Sequence, residues 1–299
     1  MKILRFNDDR VGVLKGEQVI DISELISHRE YRGPQGVMDE LIGKFETYRP
    51  KIEGLVASGK GPALAEVTLR VPLPHPTRVM AAFSNYLDRP DRTPDDVVIE
   101  FFHKSPYMIG PDGTVELPDV EQVKVFHAEA ELAFVMGKNT RNVSADRAMD
   151  SVFGYVPFFD MSARGMTRRS QFLGKGQETF AVCGPWITTR DEIADPHNLQ
   201  VKSWLNGTPR QDYSTRFMAH KIPGQIAWLS RFIQLRPCDT FATGVHHEGL
   251  GPINPGDKLE IEIEGLGRAG FKIGGNSPRK DIEFKVGGAA GGQTKMTQV

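Results

Sequence analysis

Short apolar stretches separated by polar turns run through residues 1–25. Two mostly apolar stretches flank the polar segment 7–10, a pattern typical of a small strand and turn module. The pattern therefore predicts two or three short strands. From 22 to 58 the apolar residues fall at mixed helical spacings, which predicts two modest helices.

A proline-rich stretch over 71–76 divides the chain. Three of its six residues are Pro, which removes backbone donors and disfavours helix, so we expect an extended linker. We place a domain boundary here, with a small α+β domain over 1–75 and a larger domain over 76–299. The Gly-rich residues from about 287 onwards predict a flexible tail.

The larger domain is expected to contain few helices. One is predicted over 145–153, with Ser144 as its N-cap and Gly154 at its end, and a second over about 226–235. Residues 258–265 alternate between aliphatic and acidic side chains, which predicts a strand with one wet face.

Composition supports a β-rich fold. The chain has 299 residues, of which 31 are Gly and 20 are Pro, more than an average protein contains. Such a chain turns often, so we expect a mainly β protein of the α+β class.

Charge and cysteine content exclude several classes of protein. The 37 basic and 38 acidic residues give a formal charge of −1, which provides no general attraction to nucleic acid or to an anionic membrane. No apolar run approaches the length of a membrane span. Cys183 and Cys238 are too few for a disulfide scaffold or a cysteine zinc site, and we expect a cytoplasmic protein with two buried thiols.

Two carboxylates stand beside the most apolar strand of the chain. Residues 132–136 are all apolar, and Glu129 and Glu131 precede them. Strand geometry sends side chains two positions apart to the same face, about 6–7 Å from each other. Converging acids at a buried strand are costly unless a cation neutralises them, and a hard divalent ion fits best. The alternative is that the strand end emerges into water with both acids solvated.

A third acid, Asp160, follows the apolar stretch 155–159. With Glu129 and Glu131 it would complete a set of three oxygen ligands that leaves positions on Mg²⁺ for water and a bidentate substrate. The alternative is that Asp160 caps a helix over 161–164.

Several cations follow these acids. Arg164, Arg168 and Arg169 precede Lys175, which stands between two glycines. The position between glycines suggests a lysine in a confined place, although most lysines are solvated surface groups. The segment is not a P-loop, because no Ser or Thr follows the lysine.

These motifs, taken together, resemble those of the fumarylacetoacetate hydrolase family. The resemblance runs in order from about residue 78 to 267. The residues that carry it are Glu129 and Glu131, Gly154 and Tyr155, Asp160 to Arg164, Gly174 to Gly176, Thr179 and Phe180, Gly184 and Pro185, Asn206 and Gly207, Gln211, Thr243 and Gly244, and Gly256 and Asp257.

The resemblance implies a mixed β-roll catalytic domain, a small N-terminal domain and a homodimer. It implies that Glu129, Glu131 and Asp160 hold Mg²⁺ or Mn²⁺, a site that Ca²⁺ can occupy in a crystal. It also implies action on 2-oxo acids or 1,3-diketones, by carbon–carbon hydrolysis, decarboxylation or tautomerisation.

The candidate roles follow from this resemblance together with the chemistry of the side chains. We place Lys175 and Glu131 among the catalytic residues. The substrate-binding candidates are Arg164, Gln211, Thr243 and Tyr86.

One departure from the family pattern concerns the general base. Many members have Asn-Tyr-x-x-His-x-x-Glu on a closing lid, whereas Arg89 stands at the His position here, in a charged segment, 88–96, expected to be a mobile loop. His103, His246 or His247 would then supply a group that titrates near neutral pH, and we take His103 and His246 as candidates. Each of them is otherwise an ordinary surface or hydrogen-bonded histidine.

The leading hypothesis is a divalent-metal-dependent hydrolase that cleaves a carbon–carbon bond in a diketo or acylpyruvate-type acid of a catabolic pathway for aromatic compounds. One alternative is a decarboxylase or isomerase of a 2-oxo dicarboxylic acid, which needs no activated water. A second alternative is a member of the fold that binds a small keto acid without turnover.

Overall fold

Mixed β-sheets dominate the computed structural model, which describes residues 1–26, 33–166 and 171–276. The helices are α1 (Gly33–Gly43), α2 (Phe45–Ser58), α3 (Ala145–Ala148), α4 (Phe172–Lys175) and α5 (Ile222–Phe232). The strands are β1 (Lys2–Phe6), β2 (Arg10–Lys15), β3 (Gln18–Asp21), β4 (Leu69–Arg70), β5 (Val79–Ala82), β6 (Phe101–His103), β7 (Met108–Ile109), β8 (Thr114–Leu117), β9 (Val125–Met136), β10 (Val152–Arg164), β11 (Ala181–Cys183), β12 (Ile187–Thr189), β13 (Gln200–Leu205), β14 (Thr208–Ser214), β15 (Thr240–Ala242), β16 (Pro252–Ile253), β17 (Lys258–Ile263) and β18 (Gly267–Gly275).

The larger sheet runs in the order β3-β2-β1-β12-β10-β9-β15-β5-β6. Four further strands, β4, β7, β11 and β16, pair along or beside this path. The N-terminal hairpin joins the rest through antiparallel pairing of β1 with β12. A single hydrophobic cluster also contains side chains from both sides of residue 75. The division of the chain into two domains at 75/76 stays a prediction.

The smaller sheet has the order β14-β13-β17-β18-β8. Its strand β17 alternates between buried and partly exposed side chains over Lys258–Ile263, as its sequence predicts. Gly265 lies in the turn after β17 and Gly267 begins β18, so β17 and β18 form a hairpin.

The long hairpin β9–β10 is the centre of the fold. The two strands pair from Val125 with Arg164 to Met136 with Val152, with one irregularity near Gly154. Nearly every side chain along both is buried, because the two faces of the pair pack into two hydrophobic clusters. Continuous pairing fixes which side chains lie opposite one another.

The outer edge of β9 is paired at two separate places. Strand β15 ends opposite Ala133, and β16 begins opposite His127. The loop 243–251 joins these two short strands, and it therefore passes the stretch of β9 that lies between them.

Most elements agree with the sequence pattern, including the first three strands and the two helices within 33–58. The helix predicted over 145–153 is wrong beyond Ala148. A 3₁₀ turn follows it, and Val152 and Phe153 already belong to β10, because their pairing and burial in the sheet outweigh local helical pattern. The later helix is α5, which begins earlier than predicted and ends at Phe232.

Other expectations concern burial and the ends of the chain. Cys183 and Cys238 are both free and buried, as predicted. Among the described residues no helix is long and apolar enough to cross a membrane. The predicted flexible tail lies outside the described residues.

Candidate active site

The three predicted metal ligands meet on the central hairpin. Glu129 and Glu131 lie on β9 and Asp160 lies on β10, directly opposite Glu129 in the pairing. Each offers a carboxylate oxygen, and these oxygens lie within 4.8 Å of one another. All three are buried, with relative exposures of 3%, 1% and 1%. Glu129 and Glu131 lie within a strand and out of water, so the solvated alternative is wrong. Asp160 lies within β10, so the alternative of a helix cap is also wrong.

Three cations contact two of these acids. Lys175 Nζ donates hydrogen bonds to Glu129 Oε2 at 2.7 Å and to Asp160 Oδ2 at 2.6 Å. Arg164 forms an ion pair with the other oxygen of Glu129. Lys104 Nζ donates to Asp160 Oδ1 at 2.5 Å and to the Met161 carbonyl at 2.9 Å. Buried lysines of this kind are stable only because they are paired.

Glu131 is bound differently from its neighbours. Its Oε2 accepts a hydrogen bond from the backbone N–H of Gly244 at 2.7 Å, and among the described residues no lysine or arginine contacts it. Burial raises the pKa of Glu131 well above its usual value, and the charges of Asp160 and Glu129 raise it further. Burial alone would also raise the pKa of Glu129, but Lys175 and Arg164 outweigh it and lower that pKa.

This donor set fits a divalent cation. A hard ion such as Mg²⁺ or Mn²⁺ prefers carboxylate oxygens, and three of them converge here out of water. Glu131, which has an acidic environment and no cationic contact, is the ligand that such an ion would stabilise most. The three acids are therefore the residues that would hold it.

Lys104 is a site residue that the sequence reasoning missed. Its side chain is fully buried, and burial lowers its pKa to about 8, although Asp160 acts against this shift. The signal in the sequence is a lysine two positions after the apolar pair Phe101 and Phe102. That signal alone does not distinguish a buried lysine from a solvated one.

Two side chains of β14 form hydrogen bonds with the backbone of β9 between Glu129 and Glu131. Gln211 Oε1 accepts from the Ala130 N–H at 3.0 Å, and the Tyr213 hydroxyl donates to the Ala130 carbonyl at 2.6 Å. The Gln211 amide also donates to the His246 carbonyl at 2.9 Å. Gln211 thus positions the strand and the adjoining loop, beside its predicted role in substrate binding.

Thr243 and Tyr86 are buried beside Glu131. The Thr243 hydroxyl donates to the Leu132 carbonyl at 2.9 Å, so in this structure it holds the loop to the strand. Asn85 donates to the Thr243 carbonyl at 2.9 Å. Burial raises the pKa of Tyr86, and Glu131 adds to the shift. Whether Thr243 and Tyr86 bind substrate stays a prediction.

The two candidate histidines lie in different surroundings. His103, at the end of β6, is exposed, whereas the next residue, Lys104, points into the site. The His246 ring stacks against Tyr213 with 5.8 Å between ring centroids. Burial lowers the pKa of His246, although Asp88 acts against this shift.

A third histidine, His247, forms a pair with Asp88. The ring Nδ1 lies 2.5 Å from Asp88 Oδ2. Burial would raise the pKa of Asp88, but His247 and Arg92 outweigh it and lower the pKa to about 2. The two residues are 159 positions apart in the sequence, so no local pattern could reveal the pair. The predicted cations Arg168 and Arg169 lie outside the described residues.

Comparisons with known proteins place this site in context. The family profile "Fumarylacetoacetate (FAA) hydrolase C-terminal" matches residues 76–273. The maleylpyruvate hydrolase of Aquipseudomonas alcaligenes is 33% identical over 89% of this chain and 97% of its own length. The oxaloacetate tautomerase of Xenopus laevis mitochondria is 33% identical over 68% of this chain and 67% of its own. The crystal structure of maleylpyruvate hydrolase from Sphingobium sp. SYK-6 with manganese(II) and pyruvate has a TM-score of 0.82 and 35% identity, and covers 93% of this chain and 100% of that chain.

Proposed function

Because the chain belongs to the fumarylacetoacetate hydrolase family, we propose that it is a divalent-metal-dependent hydrolase of an acylpyruvate-type diketo acid. The reaction adds water across the bond between the acyl carbonyl and the pyruvyl methylene, and releases a carboxylic acid and pyruvate. The similarity to two maleylpyruvate hydrolases supports a substrate of this class, as met in the breakdown of aromatic compounds.

One observation carries the proposal. Three buried carboxylates converge within 4.8 Å and are surrounded by Lys104, Lys175 and Arg164. A purely structural cluster would gain little from so many buried charges, because their removal from water costs more than most pairs recover. An anionic substrate that binds beside a cation uses both sets of charges.

The side chains around the acids have separate tasks. Lys175 and Arg164, which hold Glu129 in this structure, lie where a carboxylate or an enolate oxygen would be neutralised. Lys104 orients Asp160 through its hydrogen bond. The Gly244 N–H fixes Glu131. When bound, a divalent ion supplies Lewis-acid polarisation of the substrate oxygens.

The test is a metal-free preparation assayed with a panel of acylpyruvates, with and without Mn²⁺ or Mg²⁺. We expect the enol absorbance to fall and pyruvate to form only when the metal is present. In Glu129→Ala we expect neither change. Turnover that is unaffected by removal of the metal and by Glu129→Ala would contradict the proposal. CO₂ release would instead indicate decarboxylation.

Tautomerisation is the second candidate, and Arg89 favours it. A guanidinium cannot accept a proton from water, so the lid lacks the base that many members use for hydrolysis. Conversion of the enol to the keto form without release of pyruvate would support this activity.

The assembly is proposed to be a homodimer. Several large apolar side chains are exposed on the described surface, namely Val98, Phe172, Leu173 and Phe232. A partner subunit would cover apolar area of this kind. Sedimentation equilibrium at a mass of one chain would contradict this assembly.

A further inference from the structure

The lid of this protein lacks the histidine that many family members have there. Arg89 occupies the position of the expected histidine and is exposed, and a guanidinium has no acceptor atom. Asp95 and Asp96 lie further along the lid and are exposed. If water is to be activated, the base must come from another element.

The loop 243–251 passes the acidic part of β9. It leaves the sheet opposite Ala133 and returns opposite His127, so its path spans Glu129 and Glu131. His247 stands at the midpoint of this loop. In its protonated form His247 contributes to lowering the pKa of Glu129, so the two side chains lie within electrostatic reach.

The loop is held at several points. Gly244 N donates to Glu131, and the His246 carbonyl accepts from Gln211. Gly249 has a φ of +78°, and a Cβ built there would lie 1.8 Å from the Arg210 carbonyl oxygen, so only glycine fits this close approach. The backbone on both sides of His247 is therefore fixed.

Asp88 connects the lid to this loop. The Asp88 carboxylate lies 2.5 Å from His247 Nδ1, and the two side chains are 13% and 20% exposed. Arg92 holds the lid in shape, because it donates to the Tyr86 and Ser84 carbonyls at 2.8 Å and pairs with Asp88. These specific contacts hold the lid in place, whereas its charged sequence predicts a mobile loop.

The contact fixes the tautomer of the histidine. An ionised carboxylate only accepts, so in the neutral form of the ring Nδ1 carries the proton and Nε2 presents a lone pair. Among the described residues no group bonds to Nε2. The titratable and charged groups around the ring are Asp88 on the lid, Glu129 and His127 on β9, and His246 on the same loop.

We propose that His247 is the general base for the hydrolytic water and that Asp88 is its positioning residue, in place of the family's lid pair. The assignment rests on the proposed hydrolysis. His247 Nε2 takes one proton from water, and the resulting hydroxide attacks the acyl carbonyl carbon. The bond to the pyruvyl methylene then breaks, its electron pair forms the pyruvate enolate, and the proton on Nε2 passes to the methylene carbon.

The neighbouring histidines do not offer the same arrangement. His103 is exposed on the side of β6 away from Lys104. The His246 ring stacks on Tyr213 and its Nδ1 faces the Glu248 N–H at 3.4 Å, so no carboxylate orients it. The pairing with Asp88 therefore distinguishes His247 from both predicted candidates.

The experiment compares His247→Gln, Asp88→Asn and His246→Gln with the wild type, with Glu248→Gln as the control for changes in the exposed part of the loop. Pyruvate formation from an acylpyruvate gives kcat and KM with saturating Mn²⁺. Mn²⁺ binding and pyruvate binding are measured separately by calorimetry.

We expect His247→Gln to lower kcat by about 10²-fold or more, with KM, Mn²⁺ binding and pyruvate binding within about threefold of the wild type. Asp88→Asn should lower kcat and move the acidic limb of the kcat/KM profile to lower pH, because the imidazolium loses its anionic partner. A purely structural role of Asp88 would not move that limb. Glu248→Gln should leave all values unchanged.

Two results overturn the assignment of the base alone. They are wild-type hydrolysis with less than about a threefold loss of kcat in His247→Gln, and an equal or larger loss in His246→Gln. A wild type that consumes the enol without forming pyruvate overturns the hydrolysis itself, and this assignment with it.

Discussion

Metal binding and folding should be coupled through Glu131, the acid that receives only a backbone hydrogen bond. Glu129 and Asp160 each contact two cations among the described residues, whereas Glu131 contacts none. We expect Glu131→Gln to stabilise the metal-free protein near neutral pH. In the presence of Mn²⁺ the order should reverse, because the wild type gains a ligand that glutamine supplies poorly.

The magnitude follows from proton linkage. The pKa of Glu131 is higher in the folded protein than in the unfolded chain. The resulting penalty is therefore absent below the unfolded pKa and grows as the pH rises towards the folded pKa. Each pH unit between the two values costs about 1.4 kcal/mol of folding free energy. Glutamine has no carboxyl group to ionise, so it avoids this penalty and should raise the free energy of unfolding of the metal-free protein.

The proton of the Glu131 carboxyl group also affects metal binding. A metal ion needs the ionised carboxylate, so binding to the wild type releases a proton, and affinity should rise by up to about tenfold per pH unit below the folded pKa of Glu131. Glu131→Gln has no such proton to release. Its affinity should be lower and less dependent on pH.

Urea unfolding in excess EDTA and in excess MnCl₂ measures the stability, and calorimetry in two buffers counts the protons released. Glu129→Gln is the matched control. Glu129 is paired with Lys175 and Arg164, so its removal takes the ion pair from Arg164 and leaves Lys175 with Asp160 alone, which should destabilise the metal-free protein. If Glu131→Gln lowers the free energy of unfolding in EDTA as Glu129→Gln does, the reasoning is wrong.

Two further substitutions test the surroundings of the acids. Lys175→Met leaves the two carboxylates it bridges without their shared ammonium, and should lower the free energy of unfolding in EDTA by about 3–5 kcal/mol. A decrease below about 1 kcal/mol in urea unfolding, as for an exposed ion pair, would contradict this. Gly249→Ala places a Cβ against the Arg210 carbonyl and should displace the loop, which lowers kcat/KM by about 10²-fold. Gly251→Ala is its control, because there the Cβ meets only the flexible end of the Arg210 side chain, and equal activity losses would refute the argument from backbone contact.

The acidic centre could be predicted because its chemistry follows from strand periodicity. Glu129 and Glu131 are two residues apart on a strand, so the sequence alone places them on one face. Asp160 was recognised as a charge beside a second apolar stretch. The sequence placed all three at strand ends, and only the pairing shows that they lie opposite one another inside the hairpin.

Contacts between distant elements could not be predicted in this way. Asp88 and His247 lie on separate loops, and nothing in either segment specifies the other. The helix predicted over 145–153 shows how tertiary pairing can shorten an element. The helix begins where the sequence predicts, but Val152 and Phe153 pair with β9 or pack in the sheet. The local sequence pattern predicts where an element begins more readily than where it ends, because tertiary pairing can set the end.

The pairing of β9 with β10 also determines where this protein can change in length. An insertion or deletion in the connection 137–151 lies outside the paired stretch that carries the ligands, so it should leave their register unchanged. One residue added between Glu129 and Glu131 would turn one of them to the opposite face and abolish the cluster. Divergence among relatives should therefore collect in the lid and in the loop 243–251, where new substrates can be accommodated while the ladder keeps the acids in place.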